Sequence, residues 1–415
     1  MSRLFLHILF NFFPVFPLLS PNMARFRFPI PPSRPRLLIG LMSGTSLDGL
    51  DVALCRFQGR GLKTKCQLEA FDTVPYPEIV KTKILSVFAK PVVDFHQLVM
   101  LHAFIGELHG LYVKKLCQKW KVKPAEVAAI ASHGQTVFHA PLSVFPDAER
   151  NSTFQIGDGD HLAVVTGIPV VSDFRQKHVA AGGEGAPLAV YGDYLLFSKK
   201  GEDRILLNMG GIANFTWLPA TGLASQVFVT DTGPGNTLLD QAMRFFFNKD
   251  YDRNAEVARA GTPHAGLLAN LKADPFFLRP FPKTTGPELF NLQWVQAAQQ
   301  ASQTTDLSVP DLVATLTQLT SDTIGEAIVR QVGRRKPVIF MSGGGAHNPQ
   351  IVAGLRAAMP NMSMQPMIRL GIPGDAKEAV LFAVLANELL TDSRVDFGKR
   401  SKVPSVGMGK ISLPL

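Results

Sequence analysis

Hydrophobic and polar positions follow two different periods along this chain. Short apolar runs at 37–43 and 51–57 flank the glycine-containing turn 44–50, and this arrangement predicts a β-hairpin. Apolar residues then recur at helical intervals from about 77 to 120, before a buried strand at 127–134 that ends in polar residues. The first half of the chain therefore has an α/β pattern.

The second half repeats this opening. A strand, a glycine turn and a second strand occupy 204–218, and further strands and helices are predicted at 226–231, 238–247, 311–333, 336–345 and 376–390. Two halves that each begin with a glycine-turned hairpin suggest duplication of one α/β unit. We expect an extension over 1–36, an N-terminal lobe over 37–200, a C-terminal lobe over 201–390 and a tail over 391–415, with the ligand in the cleft between the lobes.

Charge is concentrated at the two ends of the chain. The 415 residues carry a formal charge of +9, yet 1–36 holds five arginines and no acidic residue, and 391–415 holds five basic residues against two acidic ones. The body is therefore nearly neutral, and the basic ends lack interleaved aromatic residues, which disfavours a nucleic-acid-binding protein. The hydrophobic content of 46% excludes a disordered chain, and three cysteines exclude a disulfide scaffold.

The first twenty residues are apolar but do not predict a membrane anchor, because Asn11, Pro14 and Pro17 interrupt them. No small-residue cleavage site follows, so we expect an upstream extension with initiation near Met23; a targeting segment is the alternative. Cys55, Cys66 and Cys117 have no metal-binding spacing, and with the histidines they form no zinc motif. They favour a reducing compartment, so we expect a cytoplasmic protein without a membrane partner.

Four glycine-rich turns follow apolar strands, at 43–49, 208–211, 230–236 and 342–348. None matches a P-loop or a Rossmann fingerprint. All combine small residues with an Asp or Asn, as needed where backbone N–H groups approach a phosphate and a carboxylate holds Mg²⁺. One such turn would be read as an ordinary tight turn, but four in two repeated lobes predict nucleotide binding.

A series of segments resembles the anhydro-N-acetylmuramic acid kinases in order and spacing over roughly 37–390. The segments are GLMSGTSLDGLD (40–51), ASHGQTVFHAP (131–141), FQIGDG (154–159), SDFR (172–175), GAPL (185–188), NMGGIAN (208–214), DTGPGN (231–236), TTGPELFN (284–291) and SGGGAHN (342–348). That family belongs to the hexokinase, Hsp70 and actin superfamily. The resemblance therefore implies the two-lobed actin-like ATPase fold, built from duplicated RNase H-like units.

The resemblance also implies an activity. It is ATP-dependent, Mg²⁺-assisted opening of the 1,6-anhydro ring of anhydro-N-acetylmuramic acid with phosphorylation at O6, a step of cell-wall amino-sugar recycling or catabolism, in a homodimer. Asp173 in SDFR matches the catalytic aspartate, and Asp48 and Asp51 are the metal candidates. The expected ATP site consists of Gly44, Thr45, Ser46, Leu47, Asp48, Gly49, Leu50, Asp51, Gly210, Gly233, Gly235, Asn236, Gly343, Gly344 and Gly345.

Polar side chains at strand ends are candidates for the sugar side. His133 and Asp158 are selected because several polar groups that converge on one cleft suit sugar hydroxyls, although a histidine at a strand end is often only a structural hydrogen-bonding residue. Lys283 is interpreted as part of a solvated loop. Glu184 precedes GAPL where family members usually have Gln, so an acid lies beside the expected catalytic loop.

Two alternative functions stay open at this point. The phosphate turns are shared across the superfamily while the sugar pocket decides the substrate, so a kinase for another hexose or anhydrosugar is possible. A non-catalytic ATP-binding module, such as an actin-like assembling protein or a pseudokinase, is the other alternative. Retention of Asp48, Asp51 and Asp173 argues against a decayed enzyme.

Overall fold

Two β-sheets organise the chain, and the computed structural model describes residues 28–399 and 403–415. The strands are β1 (Arg36–Ser43), β2 (Gly49–Gln58), β3 (Lys65–Pro75), β4 (Val127–Ala140), β5 (Ser152–Ile156), β6 (Val170–Ser172), β7 (Arg204–Met209), β8 (Ile212–Leu218), β9 (Phe228–Pro234), β10 (Val338–Ser342), β11 (Met364–Pro366) and β12 (Lys410–Ser412).

Helices connect and cover the strands. They are α1 (Glu78–Leu85), α2 (Phe95–Trp120), α3 (Gly159–Thr166), α4 (Phe174–Ala180), α5 (Ala189–Phe197), α6 (Thr237–Phe247), α7 (Glu256–Ala260), α8 (Ala265–Lys272), α9 (Pro275–Leu278), α10 (Leu292–Ala301), α11 (Val309–Val332), α12 (Pro349–Ala358) and α13 (Lys377–Leu390). Short 3-10 turns lie at Gly61–Lys63, Pro124–Glu126, Ala224–Gln226, Arg253–Ala255, Gly344–His347 and Met367–Leu370.

The two sheets share one topology. The first has the order β12-β6-β4-β1-β2-β3 with β5 paired to β4, and the second has the order β11-β10-β7-β8-β9. In each, the first three strands form an antiparallel meander. Two later strands lie parallel to the first strand on its other side: β4 and β6 in the first sheet, and β10 and β11 in the second. This repeat confirms the predicted duplication, and the chain has the two-lobed α/β architecture that the resemblance implies.

Side-chain alternation along the strands places helices on both faces of each sheet. In β1, Leu38 points to a core that also contains Leu206 of β7, whereas Ile39 points to the opposite face, which α1, α2 and α3 cover. In β7, Ile205 faces the helices that cover the outer side of the second sheet. Helices α5 and α13 belong to the core shared by the two sheets, so they join the lobes.

Local predictions were largely confirmed, with differences at the element ends. The hairpins β1–β2 and β7–β8 form where expected. The helical region 77–120 consists of two helices, because the chain leaves the helix between residues 86 and 94, which include Pro91. Strand β4 continues to Ala140, since its last residues pair with β5.

Both ends of the chain contact the body where they are described. The expected initiation near Met23 lies outside the described residues, as does most of the predicted extension. Its last residues dock: Ile30 N donates to Leu390 O at 2.7 Å, and Arg36 Nε donates to Asn387 Oδ1 at 2.8 Å. At the other end, part of the segment set apart as a tail returns to the first sheet as β12. The repeat pattern did not indicate this strand.

The three cysteines form no disulfide in the structure. All three are free, and Cys55 and Cys117 are buried. A hydrogen bond with Cys66 and burial raise the pKa of the Cys55 thiol, and burial raises that of Cys117, so neither is readily ionised. Among residues 28–399 and 403–415, no helix is both long enough and apolar enough to span a bilayer.

Candidate active site

Asp173 lies directly after β6, at the beginning of α4. Its φ of 56° and ψ of 39° are left-handed, and its carboxylate does not cap the helix that follows. The side chain is 34% exposed, and its Oδ2 lies 2.9 Å from Lys410 Nζ. An aspartate at the end of an apolar strand is usually a cap. This one is instead a carboxylate that reaches solvent, as a proton acceptor for a bound reactant must.

Arg175 fixes the glycine-rich segment that follows α4. Its Nη1 donates to Gly185 O at 2.7 Å and its Nε donates to His133 Nε2 at 3.0 Å, while Gly185 N donates to His178 Nδ1 at 3.0 Å. Burial lowers the pKa of Arg175 to about 10, against the opposing effect of the Glu378 carboxylate, so the guanidinium stays charged. Gly185, the first residue of the GAPL segment, is therefore tied to helix α4, which begins directly after Asp173.

The structure places His133 in the interior and not on the cleft wall. It is 4% exposed, and its ring lies 4.7 Å from that of Phe382 on α13. Burial and the Arg175 charge hold its pKa well below the usual value, so the ring is neutral and accepts from Arg175. This burial argues against direct contact with a sugar, and His133 instead positions Arg175.

Asp158 caps helix α3. Its Oδ1 accepts from Asp160 N at 2.9 Å and from His161 N at 3.0 Å, and its Oδ2 lies 3.4 Å from His102 Nε2. Capping alone accounts for an aspartate at this position. Its side chain is still 32% exposed, so a sugar contact stays a prediction.

The first glycine turn joins β1 to β2 and is open to solvent. Thr45, Ser46 and Asp48 are exposed, whereas Leu47 and Leu50 are buried in the core of the first lobe. Leu47 and Leu50, which were predicted as ATP-site residues, therefore anchor the turn in the core. The exposed residues and the backbone N–H groups are what a phosphate could contact.

Buried polar side chains hold this turn from behind. Ser43 Oγ donates to Gln135 Oε1, and Gln135 Nε2 donates to Gly44 O at 3.3 Å. Tyr76 OH donates to Ser43 Oγ at 2.9 Å and lies 2.7 Å from His109 Nε2. Burial lowers the pKa of His109 to about 3, so this ring is neutral. Tyr76 and His109 were missed by the sequence analysis, because no local motif links them to the turn.

The turns of the second lobe lie together at the carboxyl ends of β7, β9 and β10. Gly235 N donates to Gly211 O at 2.8 Å, and Asn236 N donates to Gly210 O at 2.8 Å. A Cβ on Gly235 would lie 2.3 Å from Gly210 O, so only glycine permits this approach. The predicted ATP-site residues of this lobe are therefore adjacent, with Gly233 next to Gly235.

The third turn of this lobe, Gly343–Gly345, packs on the other two. A Cβ on Gly344 would lie 3.3 Å from Asn236 Nδ2, and Asn236 Nδ2 itself donates to Met209 O at 3.0 Å. Gly374 lies against the same turn, because a Cβ there would be 3.0 Å from Ser342 Cβ. The structure thus brings together the glycine turns that the sequence placed more than a hundred residues apart.

The segment Gly374–Glu378 links the two lobes at the site. Burial raises the pKa of Asp51, and the nearby carboxylates of Asp375 and Asp48 raise it further. The Thr73 hydroxyl, which lies 2.5 Å from Asp51 Oδ1, opposes this shift. Burial raises the pKa of Glu378, against the charges of Lys377 and Arg175. The sequence analysis missed Asp375 and Glu378, although two acids at the start of an apolar helix were a usable signal.

The carboxylates near Asp51 fit a magnesium ion that is shared with phosphates. In the portion of the chain that the structure describes, no group of three or more His, Cys, Asp or Glu side chains has the geometry to hold a metal alone. Mg²⁺ usually takes one or two carboxylates, with substrate phosphates and water as its other ligands. Mutual repulsion of Asp48, Asp51 and Asp375 would be relieved by such a cation.

The interpretation of Lys283 as a solvated residue is wrong. It is 7% exposed, its Nζ donates to Phe276 O at 2.8 Å and to Phe277 O at 3.1 Å, and it lies 4.2 Å from the ring centroid of Phe276. Burial lowers its pKa to about 8. Aromatic residues around the loop supply cation–π contacts that the local sequence did not reveal.

Comparison with known proteins agrees with this geometry. The family model described as anhydro-N-acetylmuramic acid kinase matches residues 36–396. Relatives of that name are 51% identical over 386 residues in Pseudoalteromonas atlantica (92% of this chain, 96% of the relative) and 48% identical over 382 residues in Pseudoalteromonas translucida (91% and 95%). One from Caldanaerobacter subterraneus is 37% identical over 385 residues (91% and 97%). The chain belongs to the anhydro-N-acetylmuramic acid kinase family, which confirms the resemblance noted in its motifs.

Proposed function

We propose that this chain uses ATP to convert 1,6-anhydro-N-acetylmuramic acid and water into N-acetylmuramic acid 6-phosphate and ADP. Family membership supports the substrate and the reaction. The observation that carries the assignment of the base is the Asp173 carboxylate, which stands at the end of β6 with no capping role and reaches solvent. Neither alternative function has a comparable structural argument in its favour.

In this proposal Asp173 accepts a proton from the water that attacks the anomeric carbon. The bond from that carbon to O6 breaks, O6 bonds to the γ-phosphorus, and the bond from this phosphorus to the bridging oxygen breaks to release ADP. Asp173 then returns its proton to solvent. General base catalysis of this kind contributes roughly 10²–10⁴-fold to a rate. Arg175 keeps the neighbouring glycine segment in place while this occurs.

The glycine turns bind the nucleotide in this scheme. Phosphoryl transfer requires positioning and charge neutralisation more than covalent help, and backbone N–H groups at the turns of both lobes supply the positioning. A bound Mg²⁺ would neutralise charge on the phosphates, and Asp48, Asp51 and Asp375 are the residues that would hold it. The linking segment Gly374–Glu378 packs on the Gly343 turn of the second lobe, and the charge of its Asp375 acts on Asp51 of the first, so lobe closure would change the site.

The remaining assignments follow from the family and from the sequence. We place the division between the lobes near residue 200, between α5 and β7. We infer a homodimer and a cytoplasmic location; sedimentation velocity measures the first, and fractionation of cells measures the second. A monomer at micromolar concentration would exclude the stable dimer.

The direct test is product analysis in ¹⁸O-labelled water. The protein is incubated with ATP, Mg²⁺ and 1,6-anhydro-N-acetylmuramic acid, and we expect a ring-opened sugar 6-phosphate that carries one ¹⁸O at the anomeric position. Unlabelled product held in the same water controls for spontaneous exchange. Label in the phosphate would contradict attack of water at the anomeric carbon.

Glucose and a ring-opened N-acetylmuramic acid serve as matched substrates. Neither has an anhydro bond, and each carries O6 as a protonated hydroxyl. In the proposed scheme the base serves the water at the anomeric carbon and not this hydroxyl, so we expect at least a 100-fold lower kcat/KM for each. ADP release with glucose and none with the anhydrosugar would overturn the substrate assignment.

A further inference from the structure

The last strand of the chain forms part of the site. Strand β12 pairs antiparallel with β6, with Lys410 opposite Ser172, Ile411 opposite Val171 and Ser412 opposite Val170. Strand β6 is the one that ends at Asp173. Sheet pairing therefore places the Lys410 backbone beside the residue that precedes the expected base.

Close packing fixes this strand in position. Gly409 has a φ of 108°, and a Cβ there would lie 2.5 Å from Val171 Cγ1, so the chain approaches β6 as only glycine allows. Met408 is 3% exposed within the core that contains α5 and α13. Upstream, Tyr191 OH of α5 donates to Pro404 O at 2.8 Å. The segment that carries Lys410 is thus anchored to the core at Pro404, Met408 and Gly409.

The contact itself joins two partly solvated groups. Lys410 Nζ lies 2.9 Å from Asp173 Oδ2, and the two side chains are 64% and 34% exposed. Among the residues that the structure describes, Lys410 is the one side chain that hydrogen-bonds to the Asp173 carboxylate. A pair this exposed contributes little to the free energy of folding. We therefore expect the pair to affect the orientation of the Asp173 carboxylate.

We propose that Lys410 is a positioning residue for Asp173, and that the C-terminal strand is a working part of the active site. This inference rests on the proposed function, since it takes Asp173 as the base. It goes beyond the family match, which ends at residue 396. Lys410 holds one carboxylate oxygen and so directs the other toward the attacking water. Small errors in the placement of a reacting group are costly in rate.

The experiment compares Lys410→Met with Lys399→Met. Lys399 lies in the same basic C-terminal segment and is exposed, and no described residue is in hydrogen-bond or ion-pair contact with it. For Lys410→Met we expect kcat to fall about 10-fold with the KM for ATP unchanged, because only the base is mispositioned. Lys410→Arg, which keeps a donor at this position, is expected to recover at least half of the loss. Lys399→Met is expected to have wild-type kcat.

Stability and a second variant separate the possible outcomes. A thermal midpoint for Lys410→Met within 2 °C of wild type, together with the kcat loss, supports the positioning role, since the pair is exposed. An unchanged or increased kcat, or a loss that Lys410→Arg does not recover, overturns it. Asp173→Asn is assayed in parallel: if it is active, the proposed function has failed, whereas an inactive Asp173→Asn beside a fully active Lys410→Met refutes only the present inference.

Discussion

The two lobes share a topology but hold their first glycine turns by different means. In the first lobe, side chains do this work: Ser43, Gln135 and Tyr76 form a buried hydrogen-bonded network behind the turn. In the second lobe, backbone groups do it, because Gly235 N and Asn236 N donate directly to the carbonyls of the NMGG turn. Duplication preserved the strand order and not the chemistry of the turns.

The difference separates two tasks. The first lobe carries most of the ionisable groups of the proposed site, with Asp51 in β2 and both Asp173 and Arg175 beyond β6, whereas Asp375 and Glu378 come from the second lobe. The second lobe supplies closely packed backbone with few ionisable side chains at the turns. In the proposed function, the first lobe provides the base and two of the metal carboxylates, and the second provides Asp375 and closely packed turns for the nucleotide. Substitutions in the first lobe should therefore mainly lower turnover, and those in the second should mainly lower stability and ATP affinity.

The largest effect is expected from Asp173→Asn in the first lobe. Turnover should fall about 10³-fold because the amide cannot accept the proton, while ATP binding should persist because the turns are untouched. Initial rates of ADP release and calorimetric titration with ATP measure the two quantities. Asp147→Asn, at an exposed loop position, is the matched control. Turnover within 10-fold of wild type would reject Asp173 as the base.

Substitutions in the second lobe should act by disturbing the close backbone packing of its turns. Gly235→Ala forces a Cβ to within 2.3 Å of Gly210 O, and we expect the free energy of unfolding to fall by about 1–3 kcal/mol, together with a loss of ATP affinity. Gly211→Ala is the control for stability, since the nearest atom to its Cβ would be Thr237 Cβ at 3.9 Å. Urea denaturation distinguishes the two. Equal stability of both variants would show that the turn relaxes.

A smaller effect is expected from the side-chain network of the first lobe. Tyr76→Phe removes the hydroxyl between Ser43 and His109 and leaves a buried ring nitrogen unpaired, so the free energy of unfolding should fall by about 1–2 kcal/mol. In Tyr112→Phe, the control, stability should hardly change, because the described residues offer that hydroxyl no hydrogen-bond partner. A larger loss for Tyr112→Phe would contradict the importance of the network.

The smallest effect concerns pH and Asp231, an acid in a second-lobe turn whose pKa is strongly shifted. Burial and the Glu288 carboxylate raise the pKa of Asp231 to about 6, so the folded state is destabilised as pH rises from 3.8 through 6. Asp231→Asn keeps an acceptor for Thr285 N, which lies 2.9 Å from Asp231 Oδ2. We expect a gain of about 1 kcal/mol in the free energy of unfolding at pH 7. Denaturation at pH 4 should show almost no gain.

Local patterns predicted most of the fold correctly. The hairpins, the last helix and the repeated lobes followed from the spacing of apolar residues, because a strand or helix face must match the core that it covers. The glycine turns were also visible, since only small residues allow such backbone approach. Sequence could not show that Lys283 is buried among aromatic rings or that His133 lies in the core, as both depend on distant elements.

The sequence by itself determined the α/β class, the duplication, the family and the positions of the glycine turns, because each is encoded by neighbouring residues. Only the tertiary structure decided which groups meet there. Asp375 reaches Asp51 because α13 packs between the sheets, and Lys410 reaches Asp173 because β12 pairs with β6. Such contacts join positions hundreds of residues apart, and they are set by the packing of whole elements and not by any local pattern.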